Sequence, residues 1–85
     1  MQQGKEVEVL DEIEKIKVRL SRNIKYYRKS MKISQQAFAD MCGLHRTYIS
    51  DLENAKCNPT LGVMVVVARA LNVDPEKLIF EKAGK

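Results

Sequence analysis

Residues 34–54, SQQAFADMCGLHRTYISDLEN, decide the fold of this chain. The hydroxyl of Ser34 can accept a hydrogen bond from a backbone N–H at the start of a helix, so the sequence predicts a short helix over residues 35–42. Gly43 ends that helix, because glycine enters a left-handed turn without steric cost. A second short helix is predicted over about residues 45–53. The stretch is therefore two short helices joined by a tight turn.

Two short helices joined by a glycine turn are typical of a helix-turn-helix, whose second helix can lie in the major groove of DNA. Ile49 and Leu52, three positions apart, are expected to point inward. The opposite face of this helix is polar, and it comprises Thr47, Ser50, Asp51 and Asn54, flanked by Arg46 and Tyr48. Arginine bonds guanine through two hydrogen bonds, threonine offers a methyl group to thymine, and aspartate accepts from cytosine. The face suits base recognition, and the alternative is an ordinary solvated surface helix.

Composition places limits on the class of protein. Eighty-five residues with 45% hydrophobic content fit one small globular domain, and the net charge of +4 favours an anionic partner. Cys42 and Cys57, with a single histidine in the chain, argue against a zinc site and for free thiols in a reducing cytoplasm. No apolar run is long enough to span a bilayer or to form a signal peptide, so a cytoplasmic protein is expected. The sequence offers no nucleophile–base pair, metal cluster or phosphate-binding loop, so we expect neither an enzyme nor a cofactor.

The segment before residue 34 predicts a long helix with divided charge. Apolar residues spaced by threes and fours favour one helix to about Ser30, and a break near residues 21–23 is the competing interpretation. Residues 5–14 carry five acids against one base, and residues 15–32 carry eight bases and no acid. The basic run is either a solvated face or a rail for DNA phosphates, to which Arg22 and Lys25 would contribute without base specificity.

After residue 54 the sequence predicts two further helices. Thr60 caps a helix from Leu61 to about Asn72, and Asp74 with Pro75 opens a short last one. The predicted buried stripe of the longer helix comprises Leu61, Met64, Val67, Ala68 and Leu71. Val63, Val65 and Val66 lie outside that stripe, and surplus apolar surface often marks an interface. The whole chain is expected to be all-α, with four or five helices and no sheet.

The sequence resembles the phage repressor/Cro-type (Xre-like) helix-turn-helix family over roughly residues 20–80. The matching positions are Ser34, Gln35, Phe38, Ala39, Gly43, Ile49, Ser50, Glu53, Pro59, Leu61, Met64, Ala68, Ala70, Leu71 and Val73. Within that family, residues 44–50 (LHRTYIS) are similar to the controller proteins of restriction–modification systems. The resemblance implies a compact bundle of about five helices that binds operator DNA as a two-fold homodimer.

The resemblance also implies roles for particular residues. Base recognition falls to Arg46, Thr47, Ser50 and Asp51. Contacts with the DNA backbone fall to Gln35, Asn54, Lys56 and Asn58. His45 and Tyr48 are further candidates for the backbone or its flank, because of their own positions and not because of the resemblance. The dimer interface falls to Val63, Val66, Leu78, Ile79 and Phe80. Arg28 and Glu53 match a pair of positions that forms a structural ion bridge.

Two positions depart from the family pattern. Ala55 stands where the family usually has glycine, so we expect Asn54 to adopt the left-handed conformation instead. His45 replaces a small polar cap, which predicts a poorer helix cap and a ring able to contact a phosphate.

The expected organisation is an amphipathic extension (1–19), a helix-turn-helix domain (20–81) and a frayed tail (82–85). The expected function is a dimeric transcriptional regulator on a short palindrome. The alternative is an antitoxin or other protein-interaction module that binds a partner through residues 5–20.

Overall fold

The structure is a computed structural model that describes the backbone of residues 2–84 and the side chains of residues 6–84. Met1 and Lys85, the ends of the predicted extension and tail, lie outside the described residues. Five helices follow one another within residues 2–84: α1 Gln2–Ser30, α2 Gln35–Cys42, α3 Arg46–Glu53, α4 Leu61–Leu71 and α5 Pro75–Phe80. Residues 2–84 form no strand. The all-α prediction is confirmed.

Helix α1 is continuous, so the predicted alternative of a break at residues 21–23 is wrong. Ser21 and Asn23 prefer helix ends because their side chains compete for backbone groups, but here neither side chain interrupts the backbone hydrogen bonds of α1. The Ser21 hydroxyl donates to the Val18 carbonyl at 2.7 Å. The Asn23 amide donates to the Leu78 carbonyl at 2.7 Å, near the end of α5. Both bonds leave the backbone hydrogen bonds of α1 intact, and the Asn23 bond attaches α1 to α5.

The core takes buried side chains from the second half of α1 and from each of the other four helices. Its buried apolar side chains are Leu20, Ile24, Phe38, Ala39, Ile49, Leu52, Val67, Ala68, Leu71 and Leu78. The predicted stripe of α4 is correct for Val67, Ala68 and Leu71 and wrong for Leu61, which is 76% exposed. Leu61 is the first residue of α4 and lies outside the packed part of that helix.

The C-terminal residues are attached to α1, contrary to the expectation of a frayed tail from residue 82. The Ala83 N–H donates to the Asn23 side-chain oxygen at 2.9 Å, and the Asn23 amide donates to the Glu81 carbonyl at 2.5 Å. One buried asparagine therefore bonds both the end of α5 and the residues that follow it. The contact with Ala83 spans 60 positions and leaves no local mark in the sequence.

The first half of α1 extends beyond the bundle. Residues 6–15 are exposed, residues 16–19 are half-buried, and Leu20 is the first α1 side chain in the core. The molecule is accordingly elongated, with principal extents of 47 × 27 × 19 Å. A 29-residue helix measures about 43 Å, so α1 alone accounts for the long dimension.

Candidate nucleic-acid interface

The turn between α2 and α3 is formed as the sequence predicts, with Ser34 at the start of α2 and Gly43 at its end. The Ser34 hydroxyl accepts from the Ala37 N–H at 3.0 Å, which caps α2. Gly43 has φ 68° and its N–H donates to the carbonyls of Ala39 and Asp40, closing the C-terminus of α2. Since a residue with a Cβ is strained at this φ, glycine is the natural choice here. The turn fixes the angle at which α3 leaves α2.

His45 caps α3 through its ring, so the expectation of a poorer cap needs correction. Its Nδ1 accepts from the Thr47 N–H at 3.2 Å, as a serine hydroxyl does at the start of other helices. A neutral imidazole that accepts at Nδ1 carries its proton at Nε2. Nε2 is therefore the donor left for a phosphate at the start of α3.

The outer face of α3 gathers the residues predicted to recognise bases. Arg46 and Thr47 are exposed in the first turn, and Ser50 and Asp51 are half-buried one turn later. Asn54 is exposed at the end of the helix, and its amide donates to the Ser50 carbonyl at 2.8 Å. The face is thus polar and accessible along the whole length of α3.

The inner face of α3 is fixed by packing and by one buried ion pair. Ile49 and Leu52 are buried in the core. Arg28 Nε lies 2.5 Å from Glu53 Oε2, and Arg28 Nη2 lies 3.0 Å from Glu53 Oε1, a two-point contact between α1 and α3. This is the geometry that the matched family positions imply for the pair. Both side chains are buried, so the pair holds α3 at a fixed rotation about its own axis.

Two further bonds around the ion pair were not foreseen from the sequence. Gln35 Nε2 donates to Glu53 Oε1 at 3.1 Å, and Arg28 Nη1 donates to the Ile33 carbonyl at 2.8 Å. Gln35 is half-buried, and one of its two amide hydrogens remains for a phosphate. The sequence marks the position of Gln35 at the start of α2 but gives no signal for a partner 18 residues away.

The turn after α3 uses Ala55 in the left-handed conformation, and the prediction that Asn54 takes this role is wrong. Ala55 has φ 58° whereas Asn54 has φ −109°. The Lys56 N–H donates to the Asp51 carbonyl at 2.9 Å and the Ala55 N–H to the Leu52 carbonyl at 3.3 Å. This pair of bonds is the Schellman motif, which requires the left-handed residue one position after the cap. Hydrogen bonding therefore fixes the position at Ala55 despite its Cβ.

The remaining predicted DNA-contact residues occupy different surroundings. Lys56 and Asn58 are exposed on the connector after α3, and Lys25 is half-buried on α1. Arg22 lines a groove of about 480 Å³ together with Arg19, Lys82 and Ala83, between α1 and the C-terminal residues. Among the described residues, no hydrogen bond or ion pair joins Arg22 to α2 or α3. Its contact with DNA stays a prediction that this placement does not strengthen.

Tyr48 is half-buried beside Cys57 rather than displayed on the outer face. Burial raises the pKa of the Tyr48 hydroxyl, and the neighbouring Cys57 raises it further. Burial likewise raises the pKa of the Cys57 thiol. Both groups are therefore neutral at ordinary pH, and the tyrosine hydroxyl can act as a donor at the edge of α3.

The residues predicted to form a dimer interface divide into three groups by exposure. Phe80 is 65% exposed and Val66 is 41% exposed, whereas Val63 and Ile79 are half-buried. Leu78 is fully buried in the core of its own chain and has no surface to offer, so its assignment to the interface is corrected. The other four remain available to a partner.

Residues 6–84 contain no cluster of three or more histidine, cysteine, aspartate or glutamate side chains placed to hold a metal ion. Over the part of the chain that the structure describes, no helix combines the length and apolar character needed to cross a membrane.

Comparison with known proteins identifies the class. The helix-turn-helix family HTH_3 matches residues 24–78, which include the last quarter of α1, the whole of α2, α3 and α4, and most of α5. The control protein C.SmaI of Serratia marcescens is 41% identical over 70 residues, covering 82% of this chain and 83% of that protein. The chain therefore belongs to the HTH_3 helix-turn-helix family.

Solved structures agree with this assignment. The restriction–modification controller protein C.AhdI of Aeromonas hydrophila aligns with a TM-score of 0.70 and 27% identity, covering 73% of this chain and 94% of that one. The P22 c2 repressor, solved in complex with a synthetic operator, aligns with a TM-score of 0.71 and 27% identity, covering 74% and 96%. The resemblances to phage repressors and to controller proteins are both confirmed. These relatives are regulators and not enzymes, as expected for this chain.

Proposed function

We propose that the protein is a sequence-specific regulator of transcription that binds a short palindromic operator as a homodimer, with α3 in the major groove. The observation that carries the proposal is the polar outer face of α3, held in one orientation by the buried Arg28–Glu53 pair. Preorganisation of this kind matters because base contacts discriminate only when donors and acceptors are correctly placed. The similarity to a control protein and to a repressor solved with its operator supports the same function.

Base recognition is assigned by position along α3. Arg46 and Thr47 lie in its first turn, the part of a recognition helix that approaches base edges most closely. Ser50 and Asp51 follow one turn later, on the same outer face. These four side chains would read the edges of successive base pairs in one half-site.

Phosphate contact is assigned to the two ends of α3. His45 lies at its start, and Lys56 and Asn58 lie on the connector beyond it, where DNA strands would pass. Asn54, bonded to the Ser50 carbonyl, shapes the end of the helix as well as facing a backbone. The helix would therefore be held between two strands while its outer face meets the bases.

The test is enrichment of bound sequences from a random duplex pool, followed by binding at two salt concentrations. We expect a palindrome whose half-sites lie about one helical turn apart, with affinity that falls as salt rises. Arg46→Ala should cost about 1–3 kcal/mol and relax preference at one base pair per half-site. Lys29→Ala, which removes the same charge from an exposed site on α1, is the matched control and should leave the selected sequence unchanged. Sequence-blind binding would exclude α3 as the base-recognition element, and an Arg46→Ala protein as selective as the parent would exclude Arg46 from base recognition.

A second candidate function rests on a separate observation. Val7, Val9, Leu10 and Ile13 are exposed apolar residues on the projecting part of α1. A protein-interaction module such as an antitoxin would use this surface for a partner. The test is to purify the protein from its host and identify what accompanies it. A protein that is lost when Val9 is replaced by serine would support this second function, and no such companion would count against it.

A further inference from the structure

The projecting half of α1 carries an apolar stripe that continues the core-facing side of the helix. Val9, Ile13, Ile16 and Leu20 are spaced by four, three and four residues, the repeat of a coiled-coil seam. Leu20 lies in the core, Ile16 is half-buried, and Ile13 and Val9 are 42% and 52% exposed. The bundle thus covers one end of the stripe and leaves the other end open.

A shallow apolar groove lies where the stripe enters the bundle. The groove is about 160 Å³ in volume, and α1 supplies one wall through Ile13, Ile16, Lys17 and Leu20. Asn58, Pro59 and Met64 supply the opposite wall. A helix laid along the stripe from outside would therefore end with its apolar side chains against Pro59 and Met64. The groove and the stripe form one continuous surface.

Charge along α1 determines which direction such a helix can run. Residues 6–14 hold five acids and no base, and residues 15–22 hold four bases and no acid. Two parallel copies would place acid beside acid and base beside base over this whole length. Two antiparallel copies place the acidic segment of each beside the basic segment of the other. Opposite charges along the flanks of a seam set orientation in paired helices.

We propose that a second copy of this chain pairs with the first through antiparallel contact of the two α1 helices, with the N-terminal segment of each copy occupying the groove of the other. One register satisfies both the stripe and the charges. In it, Ile13 lies opposite the partner's Ile16, and Val9 enters the groove beside the partner's Leu20. Glu12 then lies beside the partner's Arg19 on the flank of the seam. Two-fold symmetry makes each of these contacts twice.

The choice of a second copy, and not of an unrelated protein, rests on self-complementarity. The acidic segment, the basic segment and the apolar stripe all belong to one helix. When a second copy of this helix runs in the opposite direction, each acidic segment faces a basic segment and the two stripes face each other. An isologous contact between identical surfaces closes on itself and needs no other component. This contact uses neither α3 nor Val66 or Phe80, so it adds to the proposed DNA-binding dimer and does not replace it.

The first experiment compares two identical substitutions on opposite sides of α1. Val9 belongs to the stripe, whereas Val7 lies about 160° away around the helix and is similarly exposed. We expect Val9→Ser to weaken self-association about tenfold or more, because two apolar contacts are lost per pair. Val7→Ser should leave association unchanged. The measurement is the molar mass of the full-length protein over a concentration series, with every variant made in a Phe80→Ser background so that the proposed DNA-binding dimer contributes little to the mass.

The second experiment tests direction by charge reversal. Glu12→Lys alone and Arg19→Glu alone each place like charges together twice, and each should weaken association about fivefold or more. An equimolar mixture of the two variants restores both pairs, since the introduced lysine then faces the introduced glutamate, and the unchanged Arg19 faces the unchanged Glu12. We expect the mixture to recover association close to that of the parent. In a parallel pair these two positions do not meet, so mixing would restore nothing.

Three results would overturn the proposal. They are a Phe80→Ser protein that stays monomeric at every concentration, equal effects of Val7→Ser and Val9→Ser, and single charge variants that the mixture does not rescue. A different protein bound to residues 6–16 in the purified sample would also overturn it, in favour of the interaction module. None of these measurements involves DNA, so failure here leaves the DNA-binding proposal to be judged by its own test.

Discussion

The buried pair of Arg28 and Glu53 is the residue-scale feature on which the orientation of α3 depends. Taking two charges out of water costs several kcal/mol, and their attraction offsets this only when the geometry is good and the other polar atoms are satisfied. Gln35 and the Ile33 carbonyl complete that set here. The ion pair therefore fixes the position of α3 more than it raises the free energy of unfolding.

Removing one partner of this pair should be far more harmful than removing both. We expect Arg28→Met to lower the free energy of unfolding by about 3–5 kcal/mol, because Glu53 is left charged and buried. The double variant Arg28→Met/Glu53→Leu should recover much of that loss. Urea denaturation measures both variants against the parent, with Lys29→Ala as an exposed control expected within about 0.5 kcal/mol of it. Equal losses in the single and double variants would contradict the uncompensated-charge explanation.

The two thiols provide a second test at the residue scale. Burial raises the pKa of both Cys42 and Cys57 above the ordinary value of 9.0. Since only the thiolate reacts, alkylation by iodoacetamide at pH 8 should be slower in the folded protein than in urea. A folded-state pKa above the unfolded value adds stability below pH 9 and loses it as pH rises further. Thiols that react equally fast in the folded and unfolded states would refute the raised pKa.

At the scale of elements, the turn after α3 retains a small strain. Ala55 has φ 58°, a conformation that costs a residue with a Cβ roughly 1–2 kcal/mol. Ala55→Gly should therefore raise the free energy of unfolding by about 0.5–1 kcal/mol, the remainder being lost to the greater entropy of the unfolded chain. Asn54→Gly is the matched control and should destabilise, because it removes the bond to the Ser50 carbonyl. Thermal unfolding measures both. If Asn54→Gly were stabilising and Ala55→Gly were not, Asn54 would be the left-handed residue of this turn, as first expected.

Local signals in the sequence predict the helices well, and they fail where a distant group decides. Ser34, Gly43 and Thr60 act on their own neighbours, so the bounds of α2 and the start of α4 follow from them. The unbroken α1 and the attached C-terminal residues depend on Asn23, whose partners lie 55 and 60 positions away. The error at Ala55 has a different, local cause. The Schellman bonds select the residue one position after the helix cap, and the sequence does not give the end of α3 to within one residue. In the candidate site, the outer face of α3 follows from periodicity, whereas the Gln35 contact with Glu53 does not.

At the scale of the whole molecule, the charges are separated between parts of the chain. Residues 34–58 carry Arg46 and Lys56 against Asp40, Asp51 and Glu53, and Glu53 is already paired with Arg28. The helix-turn-helix surface is thus close to neutral, and the positive charge lies on the second half of α1. Specificity in such a protein has to come from hydrogen bonds and shape more than from net charge.

This distribution gives Lys56 a measurable role in the proposed complex. Each phosphate neutralised by a lysine contributes about 0.9 to the slope of log affinity against log salt. Lys56→Ala should therefore reduce that slope by about 2 per dimer without changing the selected sequence. Lys82→Ala is the control: it removes the same charge from an exposed residue beyond α5 and should leave the slope unchanged. A changed operator preference in Lys56→Ala would assign this side chain to base recognition instead.

The proposed DNA-binding dimer predicts that the exposed side chain of Phe80 affects both dimerisation and the affinity for the operator. Phe80 and Leu61 are both large, apolar and mostly exposed, but only Phe80 belongs to the surface matched to the family interface. We expect Phe80→Ser to raise the dimer dissociation constant about tenfold or more, since an exposed aromatic at an interface contributes a large apolar area. Leu61→Ser should leave dimerisation unchanged.

Because a palindrome is bound by two linked copies, Phe80→Ser should also weaken binding to the full operator while leaving binding to a single half-site untouched. Sedimentation and titration of the two duplexes measure these effects, and equal losses on half-site and full site would place Phe80 in folding and not in assembly.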